Sequence, residues 1–328
     1  MRRRRWRSYI QVCCFLLLGL LLIPSEVYAQ LPKKSQIVVF VPEGGLFLVT
    51  PDDKKVRHLT RDLGLQATDP TWSPDGKKIA FTGYDRNFRN GDIYTLDADG
   101  SHLQNLTKTP HQSELEPAWS PSGEWIAFRT FPGNDLVVMK PDGSFKKNLT
   151  NGTSRVAWSP PSWSRDSQQL AFCAIDQVHL DLFLINVDGT GLKRLLPKPP
   201  GDNRPIQFDP AWSPSGRFLA FVSVGRDGPE NSEIYLLEFS SGELHRLTNF
   251  EEYDRYPSWL PDGSGLLFVS RRDPSAIWYM RPDGRDQKPL WKFWPGSTAW
   301  QPRIWFPLYE AVFPQGKFWT TWGNLKAR

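Results

Sequence analysis

The sequence predicts an all-β fold because one short motif recurs along it and each complete copy precedes strand-forming residues. The motif, of the form Trp-Ser-Pro-Asp-Gly, recurs with its tryptophans 47, 44, 49, 47 and 41 residues apart. Two short runs of strand-forming residues and a glycine turn come after each complete copy, without an amphipathic helix of useful length. A period in the forties with strand-like patterning is typical of a β-propeller of four-stranded antiparallel blades. The motif tryptophans are Trp72, Trp119, Trp163, Trp212, Trp259 and the degenerate Trp300.

Each part of the motif has a mechanical role in this prediction. In Ser73-Pro74-Asp75-Gly76 the proline presets φ, the aspartate bonds its own backbone and the glycine takes a positive φ, which together make a tight turn. The tryptophan fills the space between neighbouring sheets, where a large rigid ring buries much area. The proline two residues before each tryptophan lacks an N–H, which an inner edge strand facing the channel tolerates.

The two ends of the chain predict how the ring closes. The stretch 37–60 has the last three strands of a blade but no tryptophan motif, whereas the stretch around Trp300 has the motif but no hairpin after it. Together they make one blade, whose inner strand comes from the C-terminal end. We therefore expect six blades, closed by a clasp of the two ends, over residues 30–302.

The first 29 residues resemble a secretory signal. Five arginines among the first seven residues precede the apolar run 12–23, and Val27-Tyr28-Ala29 places small residues at a cleavage site. The run is shorter than the about 20 residues that span a bilayer. We expect export to the periplasm or outside the cell, with the mature chain beginning at Gln30; an uncleaved membrane anchor is the alternative. Of the cysteines, only Cys173 then remains, and its alternating strand pattern predicts a buried position.

The charge balance excludes one class of partner. The chain has 40 basic and 35 acidic side chains, but most of the excess lies in residues 1–29. Without that segment the chain is nearly neutral, which is not typical of a protein that binds nucleic acid. A hydrophobic content of 39% excludes disorder.

The repeat resembles that of a known family. Tandem units of the form Trp-Ser-Pro-Asp-Gly-x-x-Ile-Ala-Phe, as at 72–81, are similar to the WD40-like (PD40) β-propeller repeats of the TolB family, and to those of prolyl oligopeptidases and dipeptidyl peptidases. The resemblance covers about residues 37–302 and implies the fold more than the function. The TolB family carries an α/β domain before the propeller, where this chain has residues 30–36, and the peptidases carry a hydrolase domain with Gly-x-Ser-x-Gly, which is missing here. The resemblance therefore implies an isolated TolB-type propeller.

The loops predict where a site lies. The motif turns and the Asp-Gly hairpins share one face of the ring, the tight-turn face, and the longer connections share the other, the irregular-loop face. Variable loops on a rigid scaffold are where recognition usually occurs. The irregular-loop face comprises 82–91, 174–180 and 222–232 within blades and 61–68, 107–115, 151–159 and 197–208 between blades.

Acidic residues precede three of the motif prolines. Asp69, Glu116 and Asp209 are expected to begin inner strands at the mouth of the channel, where three carboxylates could bind Ca²⁺ or the basic end of a peptide. In the alternative, favoured interpretation they cap strand ends by bonding backbone amides. The matching positions elsewhere are Pro160, Tyr256 and Ser297, which carry no acid.

The signals for an enzyme are weak. His111 lies in a mouth loop near Glu114 and Glu116 and is a candidate acid–base or metal-ligating group, although such a histidine is more often a solvated loop residue. The sequence favours a monomeric, non-enzymatic scaffold that binds a protein or peptide through Asp69, His111, Glu114, Glu116 and Asp209. The alternatives are a small carbohydrate-active enzyme and a module that binds glycan or cell wall. The last of these would use the tail 303–328, which has seven aromatic residues and is otherwise expected to pack as a strap over the closing blade.

Overall fold

The computed structural model describes residues 37–41, 45–50, 55–85, 90–176, 179–196, 206–224, 231–260, 262–272, 276–292 and 304–305. These residues form strands, turns and irregular segments, and none of them is helical. Accordingly, this part of the chain has no helix of the length and hydropathy that crossing a membrane requires. The predicted signal at 1–29, Trp300 and most of the tail 303–328 lie outside the described residues.

The described strands are arranged in six antiparallel sheets. One of them, the split sheet, joins strands from both ends of the chain: β1 (Ile37–Val41), β2 (Gly45–Thr50), β3 (Lys55–His58) and β25 (Ile304–Trp305). The other five consist of consecutive strands and are complete propeller blades, numbered here from the first to the fifth in chain order.

The five blades share one plan, in which the strands follow one another from the inside of the ring outwards. The first blade has β4 (Gln66–Trp72), β5 (Lys78–Tyr84), β6 (Gly91–Asp97) and β7 (Gln104–Asn105); the second has β8 (Ser113–Trp119), β9 (Ile126–Phe131), β10 (Leu136–Met139) and β11 (Lys146–Asn148); the third has β12 (Arg155–Val156), β13 (Ser162–Trp163), β14 (Gln169–Asp176), β15 (His179–Asn186) and β16 (Lys193–Arg194); the fourth has β17 (Ile206–Trp212), β18 (Phe218–Val224), β19 (Ser232–Glu238) and β20 (Leu244–Arg246); the fifth has β21 (Asp254–Trp259), β22 (Leu266–Ser270), β23 (Ala276–Met280) and β24 (Lys288–Lys292). The prediction of an all-β propeller with four-stranded antiparallel blades is confirmed, and in the third blade two short strands, β12 and β13, share the inner position by both pairing with β14.

The predicted six-blade ring is replaced by five complete blades and the split sheet. In the split sheet, Val38 pairs with Trp305 and Val39 with Ile304, so the strand from the C-terminal end lies beyond Trp300, in the segment that the sequence assigned to the tail. The degenerate motif around Trp300 lacks the Ser-Pro-Asp-Gly turn that fixes the register of the other inner strands. Without that turn, the pairing with β1 decides which residues form the strand.

The motif turn has the predicted geometry. In the first blade, the Ser73 hydroxyl donates to Asp75 Oδ1 at 2.6 Å and accepts a hydrogen bond from the Lys78 amide at 2.9 Å. Gly76 has a φ of 63°, which only glycine adopts without strain. These bonds satisfy the polar groups of the turn locally, so the same turn can be repeated in every blade.

The motif tryptophans join neighbouring blades, as predicted. The Trp163 indole donates to the Ala118 carbonyl of the preceding blade at 2.9 Å, and the Trp259 indole donates to the Ala211 carbonyl at 3.0 Å. Both rings are buried and pack into clusters that span two blades. The inner strands therefore lie side by side around the axis of the ring.

Candidate functional site

A cavity of about 370 Å³ lies against the inner strands of the third, fourth and fifth blades. It extends from the level of Asp209 and Tyr256 to the motif turns at Pro121 and Pro214, and so towards the tight-turn face. The sequence predicted a site on the opposite, irregular-loop face. Proline and aromatic residues form most of the wall of the cavity, among them Pro160, Pro161, Pro210, Pro257, Trp163, Trp212 and Trp259.

The indole N–H groups of the three tryptophans in this wall already donate hydrogen bonds within the protein. Trp163 and Trp259 donate across the blade boundaries, and Trp212 donates to the carbonyl of Gly216 at 3.3 Å. The wall therefore offers mainly apolar ring surface, with a few polar groups such as Ser162, Ser213 and Asp209. Such a combination suits a ligand that is held by shape and apolar contact and oriented by a few hydrogen bonds.

The three acids before the motif prolines do not begin the inner strands, which corrects the sequence-based prediction. Asp69, Glu116 and Asp209 each lie at the fourth position of a seven-residue strand, at a β-bulge, with φ of 51°, 59° and 50°. Tyr256 has the same place in the fifth blade, with a φ of 57°. Because the bulge removes the proline from the ladder, the strand continues through the position where the proline had suggested its start.

The three carboxylates are buried in the channel wall and bonded to it. Arg129 Nε donates to Glu116 Oε2 at 3.0 Å, and the Thr68 hydroxyl donates to Asp69 Oδ2 at 2.9 Å. The Ser159 hydroxyl donates to Asp209 Oδ1 at 3.0 Å and accepts from the Asp209 amide at 2.9 Å. These donors are side-chain groups and the acids lie within the strands, so the favoured interpretation, in which the acids cap strand ends by bonding backbone amides, stays a prediction.

Cys173 lies close to two of these acids. Burial raises the pKa of its thiol, and the negative charges of Asp209 and Glu116 raise it further. The predicted buried strand position is confirmed, and a thiol whose pKa is raised is a poor nucleophile. The same effect shows that the charges of Glu116 and Asp209 act on one region of the channel wall.

A calcium site at these acids stays a prediction. Among the described residues, no group of three or more His, Cys, Asp or Glu side chains has the geometry to hold a metal ion. Asp69, Glu116 and Asp209 therefore do not form such a group, and any Ca²⁺ there would need further oxygen ligands.

His111 and Glu114 are placed very differently from each other. His111 is exposed in a turn with a φ of 67°, whereas Glu114 lies in β8 and is only 2% exposed. Burial raises the pKa of Glu114, against hydrogen bonds from Thr109 and Thr107 that lower it, and its Oε2 atom is buried without a hydrogen-bond partner. In the part of the chain that the structure describes, no hydrogen bond or ion pair joins these two residues. Their role in partner binding stays a prediction.

The family relationship agrees with the fold. The model of the TolB beta propeller domain family (PD40) matches residues 133–303, just over half of the chain. The chain belongs to this family. The resemblance that the repeat predicted is therefore confirmed.

Curated relatives of this TolB-type propeller match it over short segments. The uncharacterized peptidase YuxL of Bacillus subtilis is 41% identical over 59 residues, which is 18% of this chain and 9% of the relative. The Tol-Pal system protein TolB of Alcanivorax borkumensis is 35% identical over 71 residues, which is 22% of this chain and 16% of the relative. The matched segments thus represent a small part of each relative's length.

A solved structure matches over most of the chain. The crystal structure of TolB from Acinetobacter baumannii superimposes with a TM-score of 0.67 and 19% identity, covering 83% of this chain and 66% of the other. At this identity the likeness concerns the fold.

Sequence reasoning missed an acid of the TolB-type propeller that resembles Glu114. Asp254 lies two residues before the bulge residue Tyr256, as Glu114 lies two before Glu116, and it is fully buried. Burial raises its pKa, against hydrogen bonds from Ser270 and the guanidinium of Arg272, and its Oδ1 atom has no hydrogen-bond partner. The repeat spacing alone could have aligned these two acids.

Sequence reasoning also missed Trp158, which is 66% exposed. The signal was present as Ala157-Trp158-Ser159-Pro160, a second copy of the motif that closely precedes the Trp163 motif. Two adjacent copies cannot both end an inner strand, and the structure places the strand end at Trp163.

Proposed function

We propose that this TolB-type propeller is a non-enzymatic scaffold that binds an extended segment of a protein partner along its channel, from the cavity near the tight-turn face towards the irregular-loop face. The observation that carries the proposal is the cavity of about 370 Å³ that the inner strands of three adjacent blades form. Its apolar wall with a few polar groups suits a peptide better than a highly charged or heavily hydroxylated ligand. The Tol-Pal system protein TolB is a relative, and membership of its family supports a role in recognition.

Ring closure as a sixth blade belongs to the same proposal. The pairing of β25 with β1 would complete the split sheet on the plan of the other five, with the strand from the C-terminal end in the inner position. A closed ring would hold the channel wall rigid, and a rigid wall lowers the entropy lost on binding.

We also propose that the mature protein works outside the cytoplasm, in the periplasm or after secretion. The arginine-rich start, the short apolar run and Val27-Tyr28-Ala29 support export. N-terminal sequencing of the protein from its native host is expected to begin at or near Gln30. An intact Met1 in the membrane fraction would instead support an anchor.

Site-specific photo-crosslinking in the native host tests the scaffold function. Arg165 is exposed and lines the cavity, whereas Phe145 is 61% exposed at the start of an outer strand and serves as the matched control. A photo-reactive phenylalanine derivative at position 165 is expected to yield a defined protein adduct in near-stoichiometric amount. The same group at position 145 should yield none. Equal adducts at both positions, or none at either, would contradict a binding role for the cavity.

A further inference from the structure

The exposed large hydrophobic side chains of the described residues divide into two groups. Four of them, Leu103, Phe145, Leu192 and Leu244, stand at or just before the start of the outermost strand of their blade, and therefore belong to the repeat. The other four, Phe131, Trp158, Ile206 and Phe250, lie at strand ends, in connections or in the bulge of an inner strand, away from the outermost strands. Trp158 is the most exposed of all eight.

Trp158 owes its position to an enlarged bulge in the third blade. Between the paired residues Ala67 and Thr71 of the first blade lie three residues, opposite two of β5. Between the corresponding Val156 and Ser162 lie five residues, opposite two of β14. The two additional residues displace the chain from the ladder, and Trp158 projects into solvent from the inner strand.

The rest of the bulge is held firmly. The Ala157 amide donates to the Cys173 carbonyl at 2.9 Å, and the Ser159 amide donates to the Ala157 carbonyl at 2.8 Å. The Ser159 side chain exchanges two hydrogen bonds with Asp209 of the next blade, and Ser159 is only 1% exposed. A fixed backbone that presents an exposed indole loses little entropy when a ligand stacks on that ring.

The bulge continues directly into the channel cavity. Pro160 and Pro161 line the cavity, as does Asp209, so Trp158 stands two residues from the cavity wall. The carboxylate of Asp209 is bonded to the residue next to Trp158, and the charges of Asp209 and Glu116 both act on Cys173, whose carbonyl the bulge contacts. Glu116 is paired with Arg129, so Asp209, bonded to the neighbour of Trp158, is the carboxylate whose charge acts in the same direction as the quadrupole of the indole ring, and both attract a cation.

We propose that Trp158 is a recognition residue that stacks on a lysine or arginine side chain of the peptide that occupies the channel. This inference rests on the proposed scaffold function and names the chemistry of its partner. Tryptophan is the best of the aromatic side chains for such a contact. Asp209 favours the cation by its charge, without direct coordination, whereas the charge of Glu116 is already paired with Arg129.

A random 12-residue phage-displayed peptide library, selected on the purified mature protein, tests the inference. Wild type and Phe145→Ala, which removes a similarly exposed aromatic ring just before an outer strand, are expected to enrich peptides with lysine or arginine at one preferred position. Trp158→Ala is expected to lose that preference. Because Trp158 is mostly exposed, the substitution should leave the fold intact, and Trp158→Phe should retain part of the preference.

A titration then isolates the contact. The enriched peptide and its analogue with norleucine in place of the basic residue are titrated into wild type and into Trp158→Ala. The analogue should bind wild type roughly two- to thirty-fold more weakly than the peptide, and the two should bind Trp158→Ala about equally.

The outcomes separate this inference from the function on which it rests. Enriched peptides without a basic residue, an unchanged preference in Trp158→Ala, or an equal penalty for norleucine in both proteins would overturn the role of Trp158 and leave the scaffold function standing. Binding to a glycan array that requires Trp158 would overturn the assignment of its ligand class. Failure of wild type to enrich any peptide would contradict both proposals.

Discussion

The two faces of the propeller differ in how their carboxyl groups are held, and only the irregular-loop face has carboxyls whose pKa burial raises among the described residues. On the tight-turn face, hydrogen bonds from neighbouring hydroxyl, ammonium and guanidinium groups lower the pKa of six carboxyls: Asp97, Asp99, Asp142, Asp166, Asp188 and Glu238. On the irregular-loop face, burial raises the pKa of Glu114 and Asp254, whereas the pKa of Asp135 is lowered because burial is outweighed by hydrogen bonds from the Gly152 amide and Thr150. The carboxyls with a lowered pKa favour folding when they are ionised, and Glu114 and Asp254 favour folding when they are protonated.

The difference arises from where the hydrogen-bond donors come from. Asp99, Asp142 and Asp188 accept from a serine or threonine two residues further along the chain, so each turn carries its own donor and can be repeated. Glu114 depends on Thr107 and Thr109 of the connection before its strand, and Asp254 depends on Ser270 and Arg272 at the end of the next strand, so the two acids lack the local donor of the turns. Local sequence therefore builds the tight-turn face, whereas the irregular-loop face retains buried groups that cost stability. Proteins often accept such a cost at functional sites.

The largest expected loss of stability comes from removing β25, the strand that pairs with β1 in the split sheet. A chain ending at Pro295 lacks β25, which leaves the edge of β1 unpaired. Its free energy of unfolding is expected to fall by about 3–5 kcal/mol, on the scale of a deleted core tryptophan. Chemical denaturation measures the loss, with a chain ending at Tyr309 as the control that keeps β25. Equal stability of the two truncated chains would refute closure through the split sheet.

The second prediction concerns the buried pair of Arg272 and Asp254. The guanidinium donates to Asp254 Oδ2, and the side chains are 11% and 0% exposed. Arg272→Gln leaves Asp254 without its counter-charge, which should destabilise the fold at pH 7 by about 3 kcal/mol. The loss should shrink on acidification, because the protonated carboxyl needs no counter-charge. Thermal unfolding between pH 4 and pH 8 measures this, with the exposed Arg285→Gln as the control. A loss that is independent of pH would assign the role of Arg272 to packing.

Much of the fold could be predicted because the motif carries its own constraints. The turn at Ser73 and the interblade position of Trp163 follow from residue types whose partners lie within a few residues or one repeat away. The inner strands were predicted to begin too late, because a proline normally marks a strand boundary and the bulge at Asp69 removes that restriction.

The candidate site was harder to predict, because it depends on contacts between blades. Asp209 is held by Ser159, fifty residues away in sequence, and no local pattern indicates that pairing. The enlarged bulge at Trp158 could not be recognised from the sequence, because Ala157-Trp158-Ser159-Pro160 reads as another copy of the motif. The register of β25 depends on pairing with β1 across nearly the whole chain.

Replacing Glu114 is expected to change the stability less than replacing Arg272, and in the opposite direction, towards a more stable protein. Its pKa is raised in the folded state, so its contribution to stability is complete below the unfolded pKa and is lost as the pH rises through the folded pKa. Glu114→Gln should therefore stabilise the protein at pH 7, by about 1 kcal/mol, and the gain should vanish below about pH 4. Asp166→Asn on the tight-turn face is the matched control and should lose stability at pH 7, since the pKa of Asp166 is lowered. A destabilised Glu114→Gln at pH 7 would mean that the ionised carboxylate is needed for folding.

The smallest expected effect concerns the bulge acids, which lie between the two faces. The bonds of Asp69 to Thr68 and of Asp209 to Ser159 are structural, and asparagine preserves the shape of the side chain and one acceptor. The double variant Asp69→Asn with Asp209→Asn should therefore lose only about 1 kcal/mol, or a few degrees in melting temperature. Millimolar Ca²⁺ should leave the difference between the two proteins unchanged, since the described residues lack a convergent set of metal ligands. Melting curves of wild type and variant, with and without Ca²⁺, measure both quantities, and Mg²⁺ controls for ionic strength. A Ca²⁺-dependent rise in the melting temperature of wild type that the double variant lacks would instead establish the cation site that the sequence had suggested at the mouth of the channel.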